Sequence, residues 1–92
     1  MSQFTEAFGE RLLVARFNYR HSSQETVAGR AGIHRTQMSL LENGRQMPLL
    51  ETVVRLAGAC GVSPGELLGP IRWEPAAKEK PGRFVLTEEE GG

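Results

Sequence analysis

Between Gly32 and Gly44 the chain reads Ile33-His34-Arg35-Thr36-Gln37-Met38-Ser39-Leu40-Leu41-Glu42-Asn43. Met38 and Leu41 share one side of a helix drawn through this stretch. His34, Arg35, Thr36, Gln37, Ser39, Leu40 and Asn43 then fall on its outer or flanking faces. Together they offer a planar cation, amides, hydroxyls and an imidazole, a set suited to reading hydrogen-bonding groups on another molecule. Bond-breaking chemistry has no comparable set. Cys60 is the only cysteine, and it falls on the apolar side of a predicted helix, which makes it a core thiol. His21 and His34 have no second ligand at metal spacing. Paired carboxylates and a phosphate-cradling glycine loop are missing. The residues therefore predict recognition, with no enzyme, metal or cofactor.

The elements that must hold these side chains are short helices. A chain of 92 residues allows one small domain. Its 11 Lys+Arg balance 11 Asp+Glu, so any contact with an anion must rest on a local patch and not on bulk charge. All acids are Glu and most bases are Arg, a usage that suits helices. Composition changes near Gly69-Pro70, placing a compact domain at 4–68 and a tail at 69–92.

Helix one is expected from Thr5 to Tyr19, with Phe4, Phe8, Leu12, Ala15 and Tyr19 on one face and Leu13 and Phe17 widening it. Gly9 inside it points to close packing. Helix two covers Gln24 to Ala31. Either Ser23 caps it, or Ser22 does in a capping box with Glu25. Gly32 ends it. Helix three follows from Arg35 to Asn43. Helix four spans Leu49 to Cys60, with Leu50, Val53, Val54, Leu56 and Ala57 inward, and helix five spans Pro64 to Leu68.

Helices two and three are joined by only three or four residues around Gly32, the arrangement of a helix-turn-helix. Ala28 is small enough for the second helix to cross close by. The blocks Ser23-Gln24-Glu25-Thr26-Val27-Ala28, Ala31-Gly32-Ile33, Leu41-Glu42-Asn43-Gly44-Arg45, Pro48-Leu49-Leu50-Glu51-Thr52, Arg55-Leu56-Ala57, Gly61-Val62-Ser63-Pro64 and Glu66-Leu67-Leu68 occur in this order. In them the sequence resembles the phage-repressor and Cro type of helix-turn-helix proteins, the XRE family. The likeness runs over residues 8–68.

That resemblance implies an all-α, five-helix, lambda-repressor-like DNA-binding domain followed by a short, partly extended C-terminal tail. It implies a sequence-specific regulator of transcription that is a repressor, bound as a homodimer to a near-palindromic site with helix three in the major groove. The base readers would be His34, Arg35, Thr36, Gln37, Ser39 and Leu40. Arg35 can donate two hydrogen bonds to a guanine, and Leu40 can touch a thymine methyl. Gln24, Asn43 and Arg45 would hold phosphates. Glu42 would be structural, paired with an arginine of helix one, for which Arg16 is the candidate. Ala28 and Gly32 would shape the turn. The chain departs from the family pattern at His21-Ser22, at His34 where a hydroxyl commonly caps helix three, and at Leu49 where a small polar cap is usual.

The tail carries Ile71, Trp73, Phe84, Val85 and Leu86, too apolar a set for a plain linker. Residues 82–87 read as one extended segment. Trp73 is expected to fold back on its own domain, with a dimer contact as the alternative reading. The segment 71–86 also admits a second function within the same family, an antitoxin or other interaction module whose tail binds a partner protein. Glu88, Glu89 and Glu90 could compete with phosphate for a basic face. The chain shows no membrane-spanning run and no signal peptide, so a cytoplasmic protein, nucleoid-associated when on DNA, is expected.

Overall fold

Ser2 opens the first helix by a reciprocal cap. Its hydroxyl accepts from the Thr5 N–H at 3.1 Å, and the Thr5 hydroxyl accepts from the Ser2 N–H at 2.8 Å. The computed structural model describes residues 2–87, so the expected competition of Glu88, Glu89 and Glu90 with phosphate lies outside the described residues. Helix α1 runs Gln3–Asn18, α2 Gln24–Ala31, α3 Arg35–Glu42, α4 Leu50–Ala59 and α5 Pro64–Leu68. Two strands follow, β1 at Ile71–Glu74 and β2 at Arg83–Leu86. The five-helix, mainly α-helical fold is the one expected.

Phe8, Leu12, Val27, Met38, Leu41, Leu56 and Leu67 are fully buried and join α1 through α5 in one core. Each such side chain stabilises the fold by about 1.5–3 kcal/mol relative to an exposed position. Gly9 sets the spacing of α1 and α3. A Cβ there would run into the carbonyl oxygens of Leu41 and Glu42. Gly32 ends α2 with φ 75°, and the Ile33 N–H then reaches back to the Ala28 C=O at 3.0 Å. That bond turns the chain into α3. Ser23, not Ser22, caps α2, its hydroxyl accepting from the Thr26 N–H at 3.1 Å. His34 and Leu49 make no side-chain cap.

Four apolar residues assigned inward lie outward. Leu13 and Phe17 are exposed on α1, and Leu50 and Val54 on α4. On α4 the reason is a rotation. Thr52 and Ala59 are buried, so the inward arc swings away from the side that carries Leu50 and Val54. On α1 the buried stripe is Thr5, Phe8, Leu12 and Ala15. Leu13 and Phe17 lie on the next face, where Phe17 packs on the His21 ring at 4.6 Å. The loop between α1 and α2 carries two non-glycine residues in the left-handed region, Arg20 at φ 58° and His21 at φ 54°.

The tail is a hairpin, and the extended segment expected at 82–87 is its second strand. β1 and β2 pair antiparallel, with Ile71 opposite Leu86 and Trp73 opposite Phe84. Two strands alone are marginal in water, and this pair leans on α1. Phe84 meets Phe4 edge-on at 5.3 Å, and Gln3 Oε1 accepts the Phe84 N–H at 2.8 Å. Trp73 packs on Phe84 at 4.9 Å and over Gly82, staying 54% exposed. Phe84, not Trp73, is the aromatic that returns to the helices.

Candidate nucleic-acid interface

Two helices and the loop between them fix α3 through one buried carboxylate. The Glu42 side chain is only 2% exposed. Arg16 Nε donates to its Oε2 at 2.5 Å and Nη2 donates to Oε1 at 3.0 Å. The remaining Arg16 Nη1 donates to the Ser22 C=O at 2.8 Å. Gln24 Nε2 donates to Glu42 Oε1 at 2.9 Å. The bond to Glu42 raises the Arg16 pKa above its ordinary value, against the opposing effect of burial. A buried ion pair needs this kind of full hydrogen bonding to offset its desolvation. The network ties α1, α2 and the turn between them to the last turn of α3.

Met38 and Leu41 press the inner face of α3 into the core. Arg55 Nη1 lies 3.4 Å from the Gly32 C=O and spans from α4 to the turn before α3. The opposite face of α3 is left bare. His34, Arg35, Thr36 and Leu40 are exposed, and Gln37 and Ser39 are half-buried beside them. Asn43 and Arg45 are exposed just past the helix, with Asn43 Nδ2 at 3.4 Å from Ser39 Oγ. The only acid on α3 is Glu42, which is turned inward and neutralised. A chain of zero net charge thus presents Arg35 and Arg45 beside exposed hydrogen-bonding side chains, with exposed Glu6 of α1 packed against Gly44 next to Arg45.

Gln24 sits apart from this bare face. It is half-buried, and one of its two amide hydrogens is committed to Glu42. Its place at the start of α2, above the end of α3, depends on the tertiary crossing of the helices, so sequence spacing carried no sign of the bond. The same holds for the Ser22 C=O as acceptor of Arg16 and for the Arg55 contact to the turn. Among the described residues no group of His, Cys, Asp or Glu is placed to hold a metal ion.

The helix-turn-helix family HTH_3 matches residues 20–67 of the chain. The control protein C.BamHI of Bacillus amyloliquefaciens is 33% identical over 61 residues, 66% of this chain and 75% of its own length. An uncharacterised helix-turn-helix-type transcriptional regulator of Sinorhizobium fredii is 44% identical over 53 residues, 58% of this chain and 69% of its own. Among solved structures, the restriction-modification controller protein C.AhdI from Aeromonas hydrophila superposes with a TM-score of 0.67 at 33% identity. That match covers 70% of this chain and 96% of that one. The segment after α5 lies beyond the family match. With the turn at Gly32, the buried brace at Glu42 and the bare outer face of α3 in place, the chain belongs to the XRE-type helix-turn-helix family and is a DNA-binding transcriptional regulator, not an enzyme.

Proposed function

We propose that this regulator binds a specific duplex site with α3 in the major groove. The observation that carries the reading is the division of α3, with its one carboxylate buried against Arg16 and its hydrogen-bonding side chains on the opposite, solvent face. Arg35 and Thr36 lie in the first turn, where a recognition helix meets base edges. Arg35 donates to guanine, and Gln37, Ser39, His34 and Leu40 complete the reading face. Asn43, Arg45 and the free amide hydrogen of Gln24 hold phosphates.

In this reading the regulator acts as a homodimer on a near-palindromic operator, with half-sites about 34 Å apart. Bound across a promoter, it represses by excluding the polymerase. Likeness to a control protein and a controller protein supports action at a promoter. Selection from a random duplex pool, with Arg35→Ala in parallel, tests this. Wild type should enrich an inverted repeat, and the variant should lose discrimination at one position per half-site, worth about 1–3 kcal/mol. A folded wild type that enriches nothing overturns the reading.

A further inference from the structure

The hairpin leaves one backbone edge open. The Thr87 N–H donates to the Pro70 C=O at 2.6 Å, which makes 70 and 87 a hydrogen-bonded pair. Antiparallel pairs alternate, so Arg72–Val85 and Glu74–Arg83 are bonded pairs, while Ile71–Leu86 and Trp73–Phe84 are not. The Phe84 N–H accordingly points off the far side of β2, where Gln3 accepts it. Ile71 and Trp73 must turn their N–H and C=O groups off the opposite side, along the free edge of β1. Among the described residues nothing engages Trp73 there. Its ring is half exposed and lies against Phe84 and over Gly82. An open strand edge is a template for another strand.

The charges on β1 select which strand. Arg72 and Glu74 are exposed and alternate along the strand with Ile71, which packs on the core. Glu74 is bridged by Arg83 at 2.9 Å, and Arg72 has no ion-pair partner among the described residues. A second β1 laid antiparallel across a two-fold axis must set odd-numbered residues opposite one another, because only these offer free backbone groups. Centred on Arg72, the pairing places two arginines face to face, which repels. Centred on Ile71, it sets Arg72 against a proline and shortens the ladder. Centred on Trp73, it sets Arg72 opposite the partner's Glu74 on both sides of the axis. The two Trp73 residues then exchange backbone hydrogen bonds, and each Ile71 N–H reaches the partner's Pro75 C=O. The two Trp73 side chains then become direct neighbours on one face of the joined sheet.

We infer that β1 is a self-pairing edge that joins two copies of this chain into a four-stranded antiparallel sheet, with the two-fold axis at Trp73. The inference supplies a contact for the dimer proposed above. It is tested without DNA, so its failure leaves the reading of α3 untouched.

The experiment is sedimentation equilibrium of the full chain over a concentration series, together with the emission of Trp73, the only tryptophan. Wild type should pass from monomer to dimer, with a blue shift of emission over the same range. Arg72→Glu should raise the dimer dissociation constant about tenfold or more, since two attractive cross-strand pairs become repulsive. A chain carrying Glu74→Arg with Arg83→Glu keeps the bridge within its hairpin in reversed sense and should weaken equally. Mixing these two chains should restore association, because every facing pair is then of opposite sign. A hairpin merely unfolded by substitution would gain nothing from mixing. Three results overturn the inference: a monomeric wild type at every concentration, a dimer indifferent to Arg72→Glu with unshifted emission, or two reversed chains that do not associate on mixing. The second of these would leave the edge to a strand from another protein.

Discussion

Arg16 on α1 and Glu42 at the end of α3 are 26 residues apart in sequence and form a two-point ion pair, with Nε to Oε2 at 2.5 Å. The pair ties the last turn of α3 to α1, on the side opposite the helix's exposed polar side chains. Removing one member strands the other. Glu42→Ala should therefore destabilise the fold by about 3–5 kcal/mol, the range for breaking a buried pair. Arg16→Met with Glu42→Leu, which removes both charges, should recover much of that. The raised Arg16 pKa keeps its contribution whole at all pH values below the ordinary arginine range and lets it fade only as pH rises through the folded value. Denaturant unfolding of the three proteins near neutral pH checks this. A single variant as stable as wild type would show that the pair is not holding α3.

Gly9 and the last turn of α3 form a second constraint on the same helix. A Cβ at Gly9 meets the backbone oxygens of Leu41 and Glu42, and neither can rotate away as a side chain would. Gly9→Ala should cost about 1–3 kcal/mol, although alanine is otherwise the better helix former by about 1 kcal/mol. Any adjustment pushes α3 off α1, so DNA affinity should fall along with stability. Gly29→Ala is the control. It is solvent-exposed with nothing within 4 Å of the added carbon, and it should be neutral or mildly stabilising. Equal behaviour of the two alanine variants would remove the argument for close packing.

What could be read from the sequence was what local rules decide. Gly32 ended α2 because a left-handed φ there needs no tertiary partner, and Ser63-Pro64 opened α5 on the same footing. The inward arc of α4 was another matter. Leu50 and Val54 look like core by type, and Thr52 does not. The helices α2 and α5 packed against α4 decide which side is covered. β1 carries no local signature, because Ile71-Arg72-Trp73-Glu74 lies between two prolines and finds its partner only across the hairpin. At the candidate site, the outer face of α3 followed from the positions of Met38 and Leu41. The Arg16–Glu42 pair came from family likeness, and the Gln24 amide that joins it needed the three-dimensional crossing of α2 over α3.

Cys60 closes α4 within the core. Burial pushes its thiol pKa above the ordinary value of 9.0, with the Glu42 charge adding to the effect. A raised acid pKa favours the protonated form in the folded state. Its stabilising contribution is complete below pH 9.0 and lost as pH rises toward the folded value. Wild type should lose thermal stability above that point more steeply than Cys60→Ala, which has no thiol to ionise. At pH 8 the native thiol should react with a small alkylating agent far more slowly than after unfolding. Parallel alkaline melting curves for the two chains would contradict the burial argument.

Arg35 and Arg45 are both exposed cations near α3, and the proposed roles separate them by salt. Arg45 lies past the helix, at the level assigned to phosphate. Replacing it with alanine should weaken binding on every duplex alike and lower the slope of log K against log salt by about 1.8, one counterion contact in each half-site. Arg35 lies in the first helical turn, at the level assigned to a base edge. Arg35→Ala should change the ranking of duplexes and flatten the preference at a single position per half-site. Its effect on the salt slope should be the smaller of the two. Fluorescence anisotropy on the selected site and on point variants of it, at several salt concentrations, measures both quantities at once. If Arg45→Ala alters sequence preference while Arg35→Ala shifts only the salt slope, α3 meets the duplex in the reverse sense, and the assignment of readers along it must be turned around.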